Sequence, residues 1–186
     1  FVLYSRYILT PLFFLFVFLM IRRPPRSTLD RSSAASDVYK RQEQSRLRKV
    51  IRRDVTKSRQ HFLKVQFPGT YRHLIDCDIS DDYTMGYASE IGFRAGICSS
   101  FLFYDLDNEQ STSLRIHPFV VMDATLRFYM KIQPAEVFSY ISPLVREVKA
   151  VNGTFISIWH NETISNKKPW EGWQDVYEEV VKIAHA

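Results

Sequence analysis

Throughout residues 43–186, stretches with a three–four apolar spacing alternate with short runs of β-branched and aromatic residues, and few architectures accept that order. Alternation with short connections predicts an α/β fold with a mainly parallel sheet. Glu43 to Arg53 reads as the end of an amphipathic helix carrying Leu47, Val50 and Ile51 on one face, and Ser58 to Leu63 as a short strand leaving it. Pro68 opens a second helix through Tyr71, Leu74 and Ile75, in the first-turn position that proline favours. Strands are predicted at Tyr83 to Ala88 and at Leu114 to Met122. The strongest helical signal runs from Pro134 to Val151 and stops at Asn152-Gly153. Thr154 to Trp159 is a buried strand that delivers His160 to its carboxyl end, and a last helix covers about Glu171 to His185. Four or five strands are too few for an eight-stranded barrel. Either the sheet is open or its first strands are missing, and the abrupt helix at Glu43 favours missing strands.

The first 42 residues are a different object. Ile8 to Ile21 is almost uninterruptedly apolar and is followed at once by Arg22-Arg23-Pro24-Pro25-Arg26. At face value that is a signal anchor or short membrane helix, marginal for a bilayer that needs about 20 apolar residues. A cleavable signal peptide fits less well, because it carries its basic residues ahead of the apolar run. Residues 27–42 are polar and linker-like. The strings FLMIRRPPRSTL and SSAASDVYKRQ resemble translated sequencing-adapter ends of the kind met in metagenomic assemblies. The expectation is therefore a spurious segment over residues 1–42 and a folded part over residues 43–186. A membrane contact follows only if residues 1–22 are genuine.

Charge narrows the partners. Seven of the chain's 25 Lys and Arg residues and two of its 20 acids lie in residues 1–42, which leaves 18 of each for residues 43–186. The globular part is neutral, so the overall charge of +5 gives no support to a nucleic-acid partner. Two cysteines, Cys77 and Cys98, form no CxxC pair, which removes a zinc knuckle and a disulfide scaffold.

No phosphate loop, GxGxxG, HExxH or GxSxG motif occurs. Polar residues at the ends of predicted strands stand out instead: Arg59-Gln60-His61, Phe93-Arg94-Ala95-Gly96, and the run Ile158-Trp159-His160-Asn161-Glu162. Carboxyl ends of parallel strands are where such folds build their sites. His160 can serve as general acid or base there, with Trp159 helping to exclude water. Its plainer role is to cap the strand or pack on the last helix. Arg94 and Asn161 are pocket candidates, and His61 is either a pocket residue or a hydrogen-bonded loop histidine. His73, His117 and His185 read as structural. Asp81-Asp82 reads as a turn ahead of Tyr83. Phe101, Phe103 and Tyr104 form either a sugar-stacking platform or a buried loop, and Trp170 and Trp173 anchor the last helix.

The order SRQHFLKVQFPGTYRHLIDCDISDDYTMGYAS, GFRAGICSSFLFYDLD, SLRIHPFVVMDATL and VNGTFISIWHNE resembles the C-terminal half of the polysaccharide-deacetylase-like (NodB-homology) proteins. The resemblance covers essentially all of residues 43–186 and implies an irregular (β/α) barrel, here partial and truncated at its N-terminus. It implies hydrolysis of acetamido, sometimes O-acetyl, groups on a polysaccharide or amino sugar, assisted by a zinc-like divalent metal. The family's late motif, a hydrophobic strand ending in L-x-H, matches Ile158-Trp159-His160 and would make His160 the acid that protonates the departing amine. Its middle motif, R-x-P-[FY]-G, is met in part by Arg59 and Phe62, with His61 and Leu63 in place of the Pro and Gly. Arg59 would orient the catalytic carboxylate. The Asp-Asp pair and the metal-binding histidines of the family have no counterpart, so no metal ligand is assigned in this chain.

Those matches lead to the expectation of a deacetylase fragment without activity of its own, from the bacterial cytoplasm or cell envelope. The competing expectations are a non-catalytic carbohydrate-binding or structural domain of the same fold, and a membrane-anchored interaction protein.

Overall fold

The computed structural model describes residues 2–5, 42, 44–165 and 167–185. In chain order these form β1 (Val2–Ser5), α1 (44–51), β2 (Lys57–Ser58), α2 (Gly69–Asp76), β3 (Asp81–Asp82), β4 (Phe101–Asp105) and β5 (Gln110–Ile116). There follow β6 (Val121–Met122), α3 (Val137–Ala150), β7 (Phe155–Ile158) and α4 (Trp173–His185). They fall into two compact units, one holding β1, residues 85–100 and everything from His117 onward, the other holding residues 44–84 and 101–116.

The first unit carries a three-stranded sheet in the order β1-β7-β6. β6 runs parallel to β7, pairing Val121 with Ser157 and Met122 with Ile158. β1 runs antiparallel to β7, pairing Val2 with Ile158 and Ser5 with Phe155. All four residues of β7 are buried, as a central strand covered on both faces requires. α3 buries Val137, Ile141, Val145 and Val148, and α4 buries Trp173, Val176, Val180 and Ala184. In each helix those positions recur every three or four residues, so one stripe meets the core and the rest meets water. α3 ends where the sequence predicts. Asn152 turns left-handed at φ 50°, and the Gly153 N–H returns to the Val148 carbonyl at 2.8 Å. Pro143 sits on the exposed side of α3. A Cβ placed on Gly86 would lie 2.2 Å from the Phe119 ring, so no larger residue fits there without displacing it.

The second unit carries a four-stranded sheet in the order β2-β3-β5-β4. β2–β3 and β3–β5 are parallel, whereas β4 and β5 form an antiparallel hairpin with an irregularity between Leu102 and Tyr104. Phe103 and Asp105 point inward and are buried, while Leu102 and Tyr104 face out. α2 buries Tyr71 and Leu74, and Tyr71 meets Phe103 edge-on with ring centroids 5.0 Å apart. Two N–H groups of Arg72 on α2 grip Asp105 at 2.6 and 2.5 Å, and the Asn108 side chain adds a third donor at 2.9 Å. That grip, Arg72 above all, holds the Asp105 carboxyl well below the usual carboxylate range.

Several sequence expectations change. The predicted strand Ser58 to Leu63 stops at Ser58, and His61–Leu63 is a 3-10 turn with Phe62 and Leu63 both left-handed. The strand predicted at Tyr83 to Ala88 lies earlier, at Asp81–Asp82, because those two residues find parallel partners in β2 and β5. Leu114 to Met122 is two strands, since His117 to Val120 leave the ladder between β5 and β6. Parallel and antiparallel pairs are mixed, and neither sheet closes on itself among the described residues. No helix among those residues is long and apolar enough to cross a membrane, and Ile8 to Ile21 lies outside them.

Candidate functional site

β6 and β7, the parallel pair of the first unit, release their chains side by side, and the residues that follow them meet. Asp123 follows β6 directly, and His160 stands two residues beyond β7. The Nδ1 of His160 lies 2.7 Å from Oδ1 of Asp123, and the His160 backbone N–H donates to Oδ2 at 2.7 Å. Ala124 donates its N–H to Oδ1 at 2.6 Å, and the Thr163 hydroxyl donates to Oδ2. The carboxylate is fully buried and accepts from four donors, two backbone N–H groups and two side chains, so its position is set by the groups around it. The imidazole keeps 42% of its side-chain surface.

An ionised carboxylate can only accept, which assigns the Nδ1 proton to His160 and leaves Nε2 as the atom that exchanges protons. The hydrogen bond His160 donates to Asp123 raises its pKa above the ordinary imidazole value, partly offset by burial and aided by the charges of Asp123 and Glu162. The result is an oriented imidazole that stays protonated further into the neutral range than a free one. It can hand a proton to a leaving group, or take one, at a strand end open to solvent.

The other sequence candidates divide between the units. Trp159 is buried in the first unit's core, donates its indole N–H to Ser157 Oγ at 3.0 Å and meets Tyr177 edge-on at 5.3 Å. Asn161 is exposed on the turn beside His160, and Arg94 is exposed on the segment between Gly92 and Gly96. Arg59 and His61 belong to the second unit. His61 is exposed and leans on Phe62, with ring centroids 4.1 Å apart.

Arg59 has a different setting from its neighbour. Its guanidinium is buried, and its Nε donates to the Tyr83 carbonyl at 3.0 Å. Asp82, fully buried on β3, supplies the opposing charge. Thr84 donates to both oxygens of Asp82, from N–H at 2.9 Å and from Oγ1 at 2.8 Å. Burial is the largest influence on both groups: it lowers Arg59 to about 10 and raises Asp82 to about 6. Desolvation therefore outweighs the mutual attraction, yet at neutral pH both remain charged. The sequence reading of Asp81-Asp82 as a turn is corrected here, because an acid on a two-residue strand looks like a turn until its basic partner is located.

Asp123 is the functional residue that sequence reasoning missed. It sits one residue past a two-residue strand, in Val120-Val121-Met122-Asp123, and an acid ending an apolar run was the available signal. The zinc-like metal implied by the resemblance finds no fitting donor set among the described residues. No three His, Cys, Asp or Glu side chains there stand together as ligands, and Asp123 already spends both oxygens on the dyad and its backbone. No protein-family model, curated protein or solved structure matches the chain.

Proposed function

We propose that the chain carries the acid–base half of a carbohydrate deacetylase centre, with His160 as the group that protonates the departing amine of an acetamido sugar. The Asp123–His160 dyad at the open end of the parallel pair carries this reading. Amide hydrolysis stalls unless the leaving nitrogen gains a proton as its bond to the acyl carbon breaks, and an imidazolium poised near neutrality supplies it. Asp123 holds the ring by Nδ1 and balances the positive charge, so the transferable proton sits on Nε2. The groups that would activate the attacking water have no counterpart among the described residues, so no step is assigned to them. The fit of VNGTFISIWHNE to the family's late motif supports the same role.

The test begins with sequencing of the source DNA upstream of the Glu43 codon and expression of the whole frame. Acetate release from N-acetylglucosamine oligomers is then measured. His160→Ala is expected to lower kcat by about 10²–10⁴-fold, the usual contribution of a general acid. Activity should fall as pH rises through the raised His160 pKa, and Asp123→Asn should move that limb to lower pH. A His160→Ala protein within twofold of the parent would overturn the assignment. Turnover by the 186-residue chain alone would overturn the view that it holds half a centre.

A further inference from the structure

The loop leaving β6 opens with a π-helical turn, Thr125–Tyr129, two residues beyond Asp123. Such turns are rare and gather at functional sites. Its arginine, Arg127, stands over aromatic rings on several sides: Cζ lies 4.9 Å from the Trp170 centroid, 5.6 Å from Phe128 and 6.0 Å from Trp173. Phe128 meets Trp170 edge-on at 5.1 Å, and Trp170 meets Trp173 edge-on at 5.6 Å, so the clamp is braced internally. Trp170 and Trp173 come from the segment that follows β7, the strand that also delivers His160.

The guanidinium makes no ion pair and no hydrogen bond among the described residues. Nε is enclosed with no acceptor, and the indole N–H of fully buried Trp173 beside it is in the same position. Arg127 as a whole is part-exposed, and its two Nη groups are not enclosed. A permanent charge stripped of water on its faces and given no counter-ion is undersolvated. Stacking fixes its plane, and that leaves the Nη edge for a planar oxyanion, which it can grip with two parallel hydrogen bonds. The two residues that follow, Phe128 and Tyr129, are 54% and 58% exposed, and supply ring faces of the kind on which a sugar stacks.

We propose that Arg127 is an anion-recognition residue that binds the carboxylate of an acidic sugar, with Phe128 and Tyr129 receiving the pyranose ring. The carboxylate follows from the unpaired, stacked guanidinium alone. The sugar rests on the carbohydrate reading above and names a uronate as part of the substrate class.

The 186-residue chain is titrated with glucuronate, glucose and inorganic phosphate while tryptophan emission and the Arg127 Nε–H resonance are followed. Glucuronate is expected to give a saturable change in both signals that weakens with added salt, and glucose none. Arg127→Met should abolish the change with little shift in Tm, and Arg127→Lys should weaken binding about tenfold by losing the paired hydrogen bonds. Should Arg127→Met fail to fold, the Nε–H resonance and Arg127→Lys decide. Absence of any saturable response, or an unchanged response in Arg127→Lys, overturns the proposal. Phosphate binding as tightly as glucuronate overturns the sugar assignment. Glucuronate binding by the 186-residue chain, together with a whole-frame protein that releases no acetate, leaves this site standing and removes only the deacetylase reading. A deacetylase that ignores glucuronate does the reverse.

Discussion

Asp123→Ala is expected to destabilise the protein by roughly 3–5 kcal/mol, the range seen when one partner of a buried charged network is removed. Four donors would lose their acceptor, namely the N–H groups of Ala124 and His160, the His160 Nδ1–H and the hydroxyl of fully buried Thr163. Chemical denaturation reads the loss directly. Asp123→Asn keeps the shape and separates stability from electrostatics. In that variant the His160 resonance should titrate at lower pH than in the parent, because the carboxylate that raises it is gone. The pH dependence follows from the direction of the shift. A histidine whose folded pKa is raised contributes stability that is complete below its unfolded value and disappears as pH rises through its folded value. The parent should therefore lose stability on the alkaline side of that window, and Asp123→Asn should show a flatter profile. An identical His160 titration in parent and Asp123→Asn would mean that the 2.7 Å contact does not act on the ring.

Asp82→Ala is expected to cost a similar amount, roughly 3–5 kcal/mol, because it leaves the buried guanidinium of Arg59 without its carboxylate. Replacing both partners by apolar residues of similar volume should recover much of that loss, since the desolvation penalty then vanishes from both sides. The Asp82 carboxyl should titrate near 6 by carbon NMR. Here the folded pKa lies above the unfolded one, about 3.9, so the fold holds this proton more tightly than the open chain. The contribution to stability is greatest in acid, declines as pH rises from about 4 to about 6, and is level above that. Asp82→Asn should remove this slope. A carboxyl titrating near 4 would show that water reaches Asp82, which would end its role as a buried partner.

The long elements were legible because their signal is local. Val137, Ile141, Val145 and Val148 share one helical face whatever surrounds them, and Asn152-Gly153 stops the helix through a backbone conformation that glycine and asparagine tolerate. The run Phe155-Ile156-Ser157-Ile158 reads as a buried strand for the same reason, and it places His160 at a strand end. The two-residue strands β2, β3 and β6 carry too few residues for any period, so they exist only where a neighbour completes the ladder. That is why the sequence predicts a strand at Tyr83 to Ala88, whereas the ladder forms at Asp81–Asp82.

By itself the sequence determined which residue types could do chemistry and which stretches must be helix or buried strand, since apolar spacing and turn chemistry act within a few residues. The tertiary structure decided their company. Asp123 lies 37 positions from His160, Asp82 lies 23 from Arg59, and Arg127 lies 43 from Trp170. None of these pairs leaves a trace in spacing, because a hydrogen bond, a buried ion pair or a cation over a ring depends on distance through space. Folding brings the loops after β6 and β7 together, and the hydrogen bond formed there joins a buried acid and a part-exposed histidine into an acid–base pair.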